Sequence, residues 1–209
     1  MPITTKRPKI KESVGSLYYA FNTMTESGEF DPENYETTVK SDVVKTINTT
    51  DNTGSTVVRA SGGDYVTAYQ TSSADNEVEV VAIDPEDLAK MRGDDIHENG
   101  LVLGGSPKAR PYFAFGKVVK KMGGAKELVW YPKCQLTENT DESSTSEEEF
   151  SEQNDTITIK AYAFDNEGHI SVRVNSEMAS YPEGLTEEKF FEKPILDDAG
   201  LTAALAPTA

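Results

Sequence analysis

Tyr112-Phe113-Ala114-Phe115-Gly116-Lys117-Val118-Val119, then Met122-Gly123-Gly124-Ala125, then Leu128-Val129-Trp130-Tyr131-Pro132-Lys133-Cys134-Gln135-Leu136 reads as strand, turn and strand. Apolar residues alternate or run together over lengths that suit strands, and the Gly-Gly pair supplies a tight reversal. Cross-strand geometry then predicts that Trp130 packs with Phe113 or Phe115 and with Leu128 between sheets. Strict alternation puts Cys134 on the face of Leu128, Trp130 and Leu136, where it is an inert buried thiol.

The same period of two extends outward from this hairpin. Leu17, Tyr19 and Phe21 alternate with Tyr18, Ala20 and Asn22, and Val78, Val80 and Ala82 alternate with Glu77, Glu79 and Val81. Ile157, Ile159, Ala161 and Ala163 share a strand face, the turn signal Asp165-Asn166-Glu167-Gly168 follows, and Ile170, Val172 and Val174 alternate after it. The chain is therefore a mainly antiparallel β domain, with Tyr19, Phe21, Phe113, Phe115, Leu128, Trp130, Ile157 and Ile159 as its expected core. One helix is well marked. Asp84 caps it, Pro85 suits its first position, Glu86 and Asp87 favour the positive end of the dipole, and Gly93 ends it. A weaker helix is expected from about Thr186 to Lys193, stopped by Pro194.

Three stretches read as appendages to a β domain spanning residues 14–182. Residues 1–13 form a basic N-terminal arm. Residues 46–75, rich in Thr, Ser, Asn and Gly, read as a long polar loop that is functional or mobile. Residues 183–209 read as a C-terminal arm that only a neighbour would order. Residues 138–155 hold eight acids and no base, and read as a solvated acidic loop.

Charge is segregated along the chain. There are 36 acids and 20 bases, a net −16. Yet residues 1–11 carry Lys6, Arg7, Lys9 and Lys11 without an acid, and residues 108–133 carry seven bases against Glu127 alone. Patches of opposite sign suit a molecule that meets a copy of itself. Lys117, Lys120, Lys121 and Lys126 flank the central hairpin, and this end is expected to meet acidic surface on an adjacent subunit. With Lys6, Arg7, Lys9 and Lys11 they form the expected subunit interface. The net acidity opposes a protein that grips nucleic acid by its phosphates.

Chemistry is sparse. One cysteine precludes an internal disulfide and fits assembly in a reducing cytoplasm. No apolar run is long enough to cross a membrane, and the N-terminus lacks a signal-peptide core. His97 and His169 are too few for a zinc site with Cys134, and no nucleophile, metalloprotease or phosphate-loop motif is present. No catalytic residue, metal or cofactor is expected.

Four stretches in this order resemble the major tail protein, the tube-forming subunit of phages with long non-contractile tails. They are Val14-Gly15-Ser16-Leu17-Tyr18-Tyr19-Ala20; Glu77-Val78-Glu79-Val80 with the helix from Asp84 to Gly93; Pro111-Tyr112-Phe113-Ala114-Phe115-Gly116; and Leu128-Val129-Trp130-Tyr131-Pro132-Lys133-Cys134. The likeness covers about residues 14–175; the 46–75 and 138–155 segments match it poorly. It implies a β-sandwich or barrel with a flanking helix. It also implies self-association into stacked hexameric rings that form the tail tube, with genome DNA passing through the lumen without specific binding. Tape measure, tail terminator and distal tail proteins would be further partners. The place of action would be the virion tail, assembled in the host cytoplasm. The rival reading is a monomeric β-sandwich binding module for cell-surface glycans, with Tyr65, Tyr69 and Tyr181 as exposed aromatics.

Overall fold

The structure, a computed structural model, describes residues 5–25, 27–60, 63–105, 107–141 and 154–206. Most of residues 138–155, the first four residues and the last three therefore lie outside the described residues. The chain is mainly β and antiparallel, with a few short helices, in the manner of a β-sandwich. Strand β1 spans Lys11–Phe21, β2 Val39–Ser41, β3 Val44–Ala60 and β4 Gly63–Val80; helix α1 is Pro85–Arg92. A small ribbon of β5 (Asp95–Ile96) and β6 (Val102–Leu103) follows, then β7 (Phe113–Lys121), β8 (Ala125–Asp141), β9 (Asp155–Tyr162) and β10 (Val172–Asn175). Helices α2 (Glu187–Phe191) and α3 (Asp198–Leu205) complete the order.

Eight strands make one sheet in the order β2-β1-β7-β8-β9-β4-β3, with β10 beside the first half of β8. The sheet curls so that β1 approaches β3. Its inner faces enclose one core, where Leu17, Tyr19 and Phe21 meet Phe113, Phe115, Val78, Val80, Ile157 and Ile159. Met91 and Leu88 of α1 join that core. The helix starts where Asp84 accepts from the amides of Glu86 and Asp87, and ends where Gly93 adopts φ 76°. Gly123 and Gly124, at φ 73° and 77°, form the reversal between β7 and β8.

The outer face of β1, β7 and β8 is a second apolar surface. Tyr18, Ala20, Ala114, Val118, Leu128 and Trp130 line it, and Leu185, Phe190, Phe191 and Ile195 cover it. This overturns two expectations. Residues 183–206 are not an arm awaiting a neighbour, because Phe190 and Phe191 dock them on this chain's own sheet, at 0% and 2% exposure. Trp130 does not pack with Phe113 or Phe115. It pairs across the sheet with Gly116, while Phe115 pairs with Tyr131, so Trp130 and the two phenylalanines face opposite ways. The gap left by Gly116 is filled by Phe191 and Trp130; a Cβ there would stand 2.6 Å from the Phe191 ring.

The placing of Cys134 also differs from strict alternation. Between Phe115↔Tyr131 and Phe113↔Cys134, one residue of β7 opposes two of β8, Pro132 and Lys133. This bulge reverses the facing of the strand beyond it. Proline fits there because it has no amide hydrogen for the ladder. Cys134 and Leu136 therefore enter the inner core with Tyr131, away from Trp130. Burial pushes the Cys134 thiol well above its usual range.

Candidate functional site

The 46–75 segment is not a loop. It belongs to a hairpin in which β3 and β4 run 17 and 18 residues and stay paired out to Ala60 and Gly63. Its base is anchored. Ile47 and Val44 pack against the inner core, and Asn52 donates to Ser73 Oγ and Asp75 Oδ2 at 3.1 and 2.8 Å. Beyond Thr53↔Thr71 the pairing continues, yet every position whose burial is described from 53 to 59 and from 63 to 70 is exposed. At about 3.3 Å per residue, that arm projects about 25 Å.

The arm's chemistry differs from the body's. Residues 53–71 contain one base and one acid, Arg59 and Asp64, and these pair with each other at 2.9 Å. The arm is thus neutral on a chain of net −16. Tyr65 and Tyr69 are 78% and 73% exposed, and Val57 and Val66 are also exposed. Among the described residues, no strand lies beside the outer edge of β3. Free edges are commonly guarded by lysine, proline or inward charge, and residues 53–71 include no lysine and no proline.

The basic residues have separate fates. Lys6 and Arg7 are exposed ahead of β1, where the backbone amide of Lys9 donates to Glu177 Oε1 at 2.7 Å. Lys121 is 8% exposed and ion-paired with Glu177 at 2.8 Å and Glu127 at 3.7 Å. Lys126 pairs with Glu187 at 2.5 Å, and the Tyr18 hydroxyl donates to the same carboxylate at 2.9 Å. Two of the four hairpin lysines are thus neutralised within the chain rather than turned to an adjacent subunit. Glu177 and Glu187 lie 56 and 61 residues away in sequence, where no local pattern links them to these lysines. Lys120 is exposed beside Gly15.

Lys117 behaves otherwise. It is mostly enclosed, donates to Thr49 Oγ1, and its ammonium lies 5.4 Å from the centre of the Tyr131 ring. Burial first, then the charge of Lys11 and of Arg173, push its pKa down to about 8, against the opposing pull of Glu127 and Asp51. An unfolded chain still holds that proton between about pH 8 and pH 10, so stability should rise with pH across this window. Unfolding free energies from urea titrations at pH 7.5 and 9.5 should differ by up to about 2 kcal/mol in favour of the higher pH. The Lys117→Met variant should show a flat profile over the same range. Above pH 10 the sign reverses, because burial holds the Tyr18, Tyr19 and Tyr35 hydroxyls protonated when unfolded tyrosines ionise.

Of the aromatics expected on a recognition face, Tyr65 and Tyr69 are together on the arm. Tyr181 is separate, with its hydroxyl donating to the Leu185 carbonyl at 2.9 Å in the C-terminal packing. Sequence reading missed Arg173, Glu177 and Glu187, whose roles arise only from long-range pairing. Among the described residues, no group of three or more His, Cys, Asp or Glu is placed to hold a metal ion.

No protein-family model matches the chain, and no curated protein matches it. Among solved structures it is similar to a chain in the "Cryo-EM structure of the anti-feeding prophage (AFP) baseplate, 6-fold symmetrised". The TM-score is 0.42 with 8% sequence identity, covering 83% of this chain and 100% of the other.

Proposed function

We propose that this chain is a non-catalytic structural subunit that assembles with copies of itself into stacked rings, forming the tube of a virus tail. The observation that carries the reading is the neutral β3–β4 arm, which extends about 25 Å from the body with exposed tyrosines and an unguarded edge. A two-stranded ribbon is marginal alone in water. Such an edge is a template for another chain, so its cover is a neighbouring subunit. The sequence resemblance to major tail proteins supplies the finer features: rings of six, an axial channel for genome DNA, and tape measure, terminator and distal tail proteins as further partners. Six copies at −16 place a charge on the order of −100 on each ring, which keeps phosphate from adhering to the wall.

Negative-stain microscopy and sedimentation of concentrated protein test this. Rings or tubes with an axial hole are expected. A single monomeric species at every concentration and salt would overturn the reading. The exposed Tyr65 and Tyr69 favour the second reading, a glycan-binding module, which predicts that monomer and a loss of carbohydrate binding on changing both tyrosines.

A further inference from the structure

The turn end of the β7–β8 hairpin gathers exposed apolar side chains from three distant segments. The Met122 amide donates to the Ile10 carbonyl at 2.9 Å, which ties the lead into β1 to the turn. Glu177 accepts from the Lys9 amide at 2.7 Å and from the Lys121 ammonium at 2.8 Å, which brings Met178 to the same end. Ile10, Met122 and Met178 are each more than half exposed. Exposed apolar residues grouped within a polar rim mark an interaction surface, and methionine adapts its shape to what it meets. The rim is mainly basic. Lys6, Arg7 and Lys9 are exposed in a stretch whose first 11 residues hold no acid. The Lys9 ammonium lies over the turn, 3.6 Å from where a Cβ on Gly123 would stand. Of the acids at this end, Glu127 and Glu177 are engaged by Lys121 and Glu187 by Lys126, while Glu12 stands against Lys6, Arg7, Lys9 and Lys11.

The complement of this surface is in the chain's own sequence. Residues 142–153 lie outside the described residues, and within them Glu147-Glu148-Glu149-Phe150-Ser151-Glu152 holds four acids, one aromatic and no base. Two other acidic stretches pack their aromatics within the chain: Phe30 meets Tyr35 and Tyr112 edge to face, and Phe190 and Phe191 cover the outer face. We infer that Phe150 and its flanking glutamates dock on the Ile10, Met122 and Met178 surface of a second copy of this chain. The inference rests on the self-assembly reading and names one contact by which a subunit receives the next. Acid against the basic rim gives the contact its orientation. The segment cannot reach the surface of its own chain. β8 runs 17 residues from the turn to Asp141, about 50 Å of strand at about 3.3 Å per residue. Asp155 pairs with Asp141 at the far end, and Phe150 precedes Asp155 by five residues, a reach of at most about 18 Å. Donor and receiver at opposite ends make the contact heterologous, so it propagates from copy to copy instead of closing as a symmetric pair.

The test compares wild type with M122S/M178S, which removes exposed apolar surface, and with K6E/R7E/K9E and E147K/E148K/E149K, which reverse the two sides of the contact. Binding of a fluorescein-labelled peptide of residues 145–154 to dilute full-length protein is read by polarisation, and self-assembly by sedimentation. Peptide affinity should fall at least tenfold in M122S/M178S and in K6E/R7E/K9E. It should fall as far for wild type when the peptide carries Phe150→Ala, an arm of the test that needs no altered protein. Neither charge-reversed protein should assemble alone at concentrations where wild type does. An equimolar mixture of the two should assemble, because each then offers the other an opposite charge. A melting temperature for each variant separates these effects from misfolding. If wild type and M122S/M178S bind the peptide alike, the surface does not receive this segment. If E147K/E148K/E149K alone assembles like wild type, the docking inference fails and the self-assembly reading stands. If wild type binds the peptide through Met122 and Met178 but never assembles, the self-assembly reading fails and the second copy falls as occupant. Tighter binding of a short DNA duplex or of phosphatidylserine vesicles than of the peptide, lost in K6E/R7E/K9E, would assign the surface to phosphate and overturn the inference.

Discussion

Replacing residues 54–70 by Asn-Gly should abolish assembly while leaving a folded monomer. Thr53 and Thr71 face each other in the ladder, so the two-residue link closes the shortened ribbon on a reversal that matches strand twist. No residue described in the removed span is buried, so no core contact is lost. The melting temperature should stay within about 2 °C of wild type, which for a domain of this size corresponds to at most about 1 kcal/mol. Rings and tubes should be absent at concentrations where wild type forms them. Normal tubes from the shortened protein would show that the arm is dispensable and remove the main support for the proposed function. Loss of the cooperative melt would show instead that the arm belongs to the fold.

Trp130→Ala should give the largest loss of stability available from a single side chain, about 3–5 kcal/mol. The indole is fully buried, its Nε1 donates to the Phe190 carbonyl at 3.0 Å, and its ring meets Phe191 at 5.1 Å, edge to face. Truncation removes the apolar contact and leaves a buried carbonyl without its donor. The loss should be local as well as global. Amide exchange in residues 186–195 should quicken more than in β9, which belongs to the inner core. Urea denaturation and hydrogen exchange measure the two effects. A change below about 1 kcal/mol, or equal quickening in β9, would show that Trp130 does not hold the C-terminal segment.

The parts of the fold legible in the sequence were those whose apolar residues recur with a strand or helix period or whose turns and caps have local signals. The β7–β8 hairpin, the period of β9 and the capped helix at Asp84 follow from local patterns alone. Where legibility stopped, the physics is specific. The β3–β4 arm has both faces in solvent, so it carries no apolar alternation, and its Thr, Ser and Gly content reads as loop. The bulge at Pro132 and Lys133 breaks the parity rule that placed Cys134 beside Trp130. The C-terminal segment spreads its apolar anchors over Leu185, Phe190, Phe191 and Ile195, too thinly to suggest that they cover a sheet. At the candidate site, the excess of lysine near the hairpin was visible, but not its division. Lys121 and Lys126 are matched by Glu177 and Glu187, whereas Lys117 is acted on by Lys11 and by Arg173, 56 residues further on, as well as by Glu127 and Asp51.

The covering of the outer face by residues 185–195 also has a consequence for biosynthesis. A chain is made from its N-terminus, and these residues emerge only after every strand. Until then Trp130, Leu128, Val118 and Tyr18 sit on a sheet that can pair but is bare on one side, and transiently bare apolar surface invites aggregation. A nascent chain stalled after Asn175 would therefore hold its whole strand set and still be a substrate for chaperones. Glu187, which takes both the Tyr18 hydroxyl and the Lys126 ammonium, closes that window when it arrives.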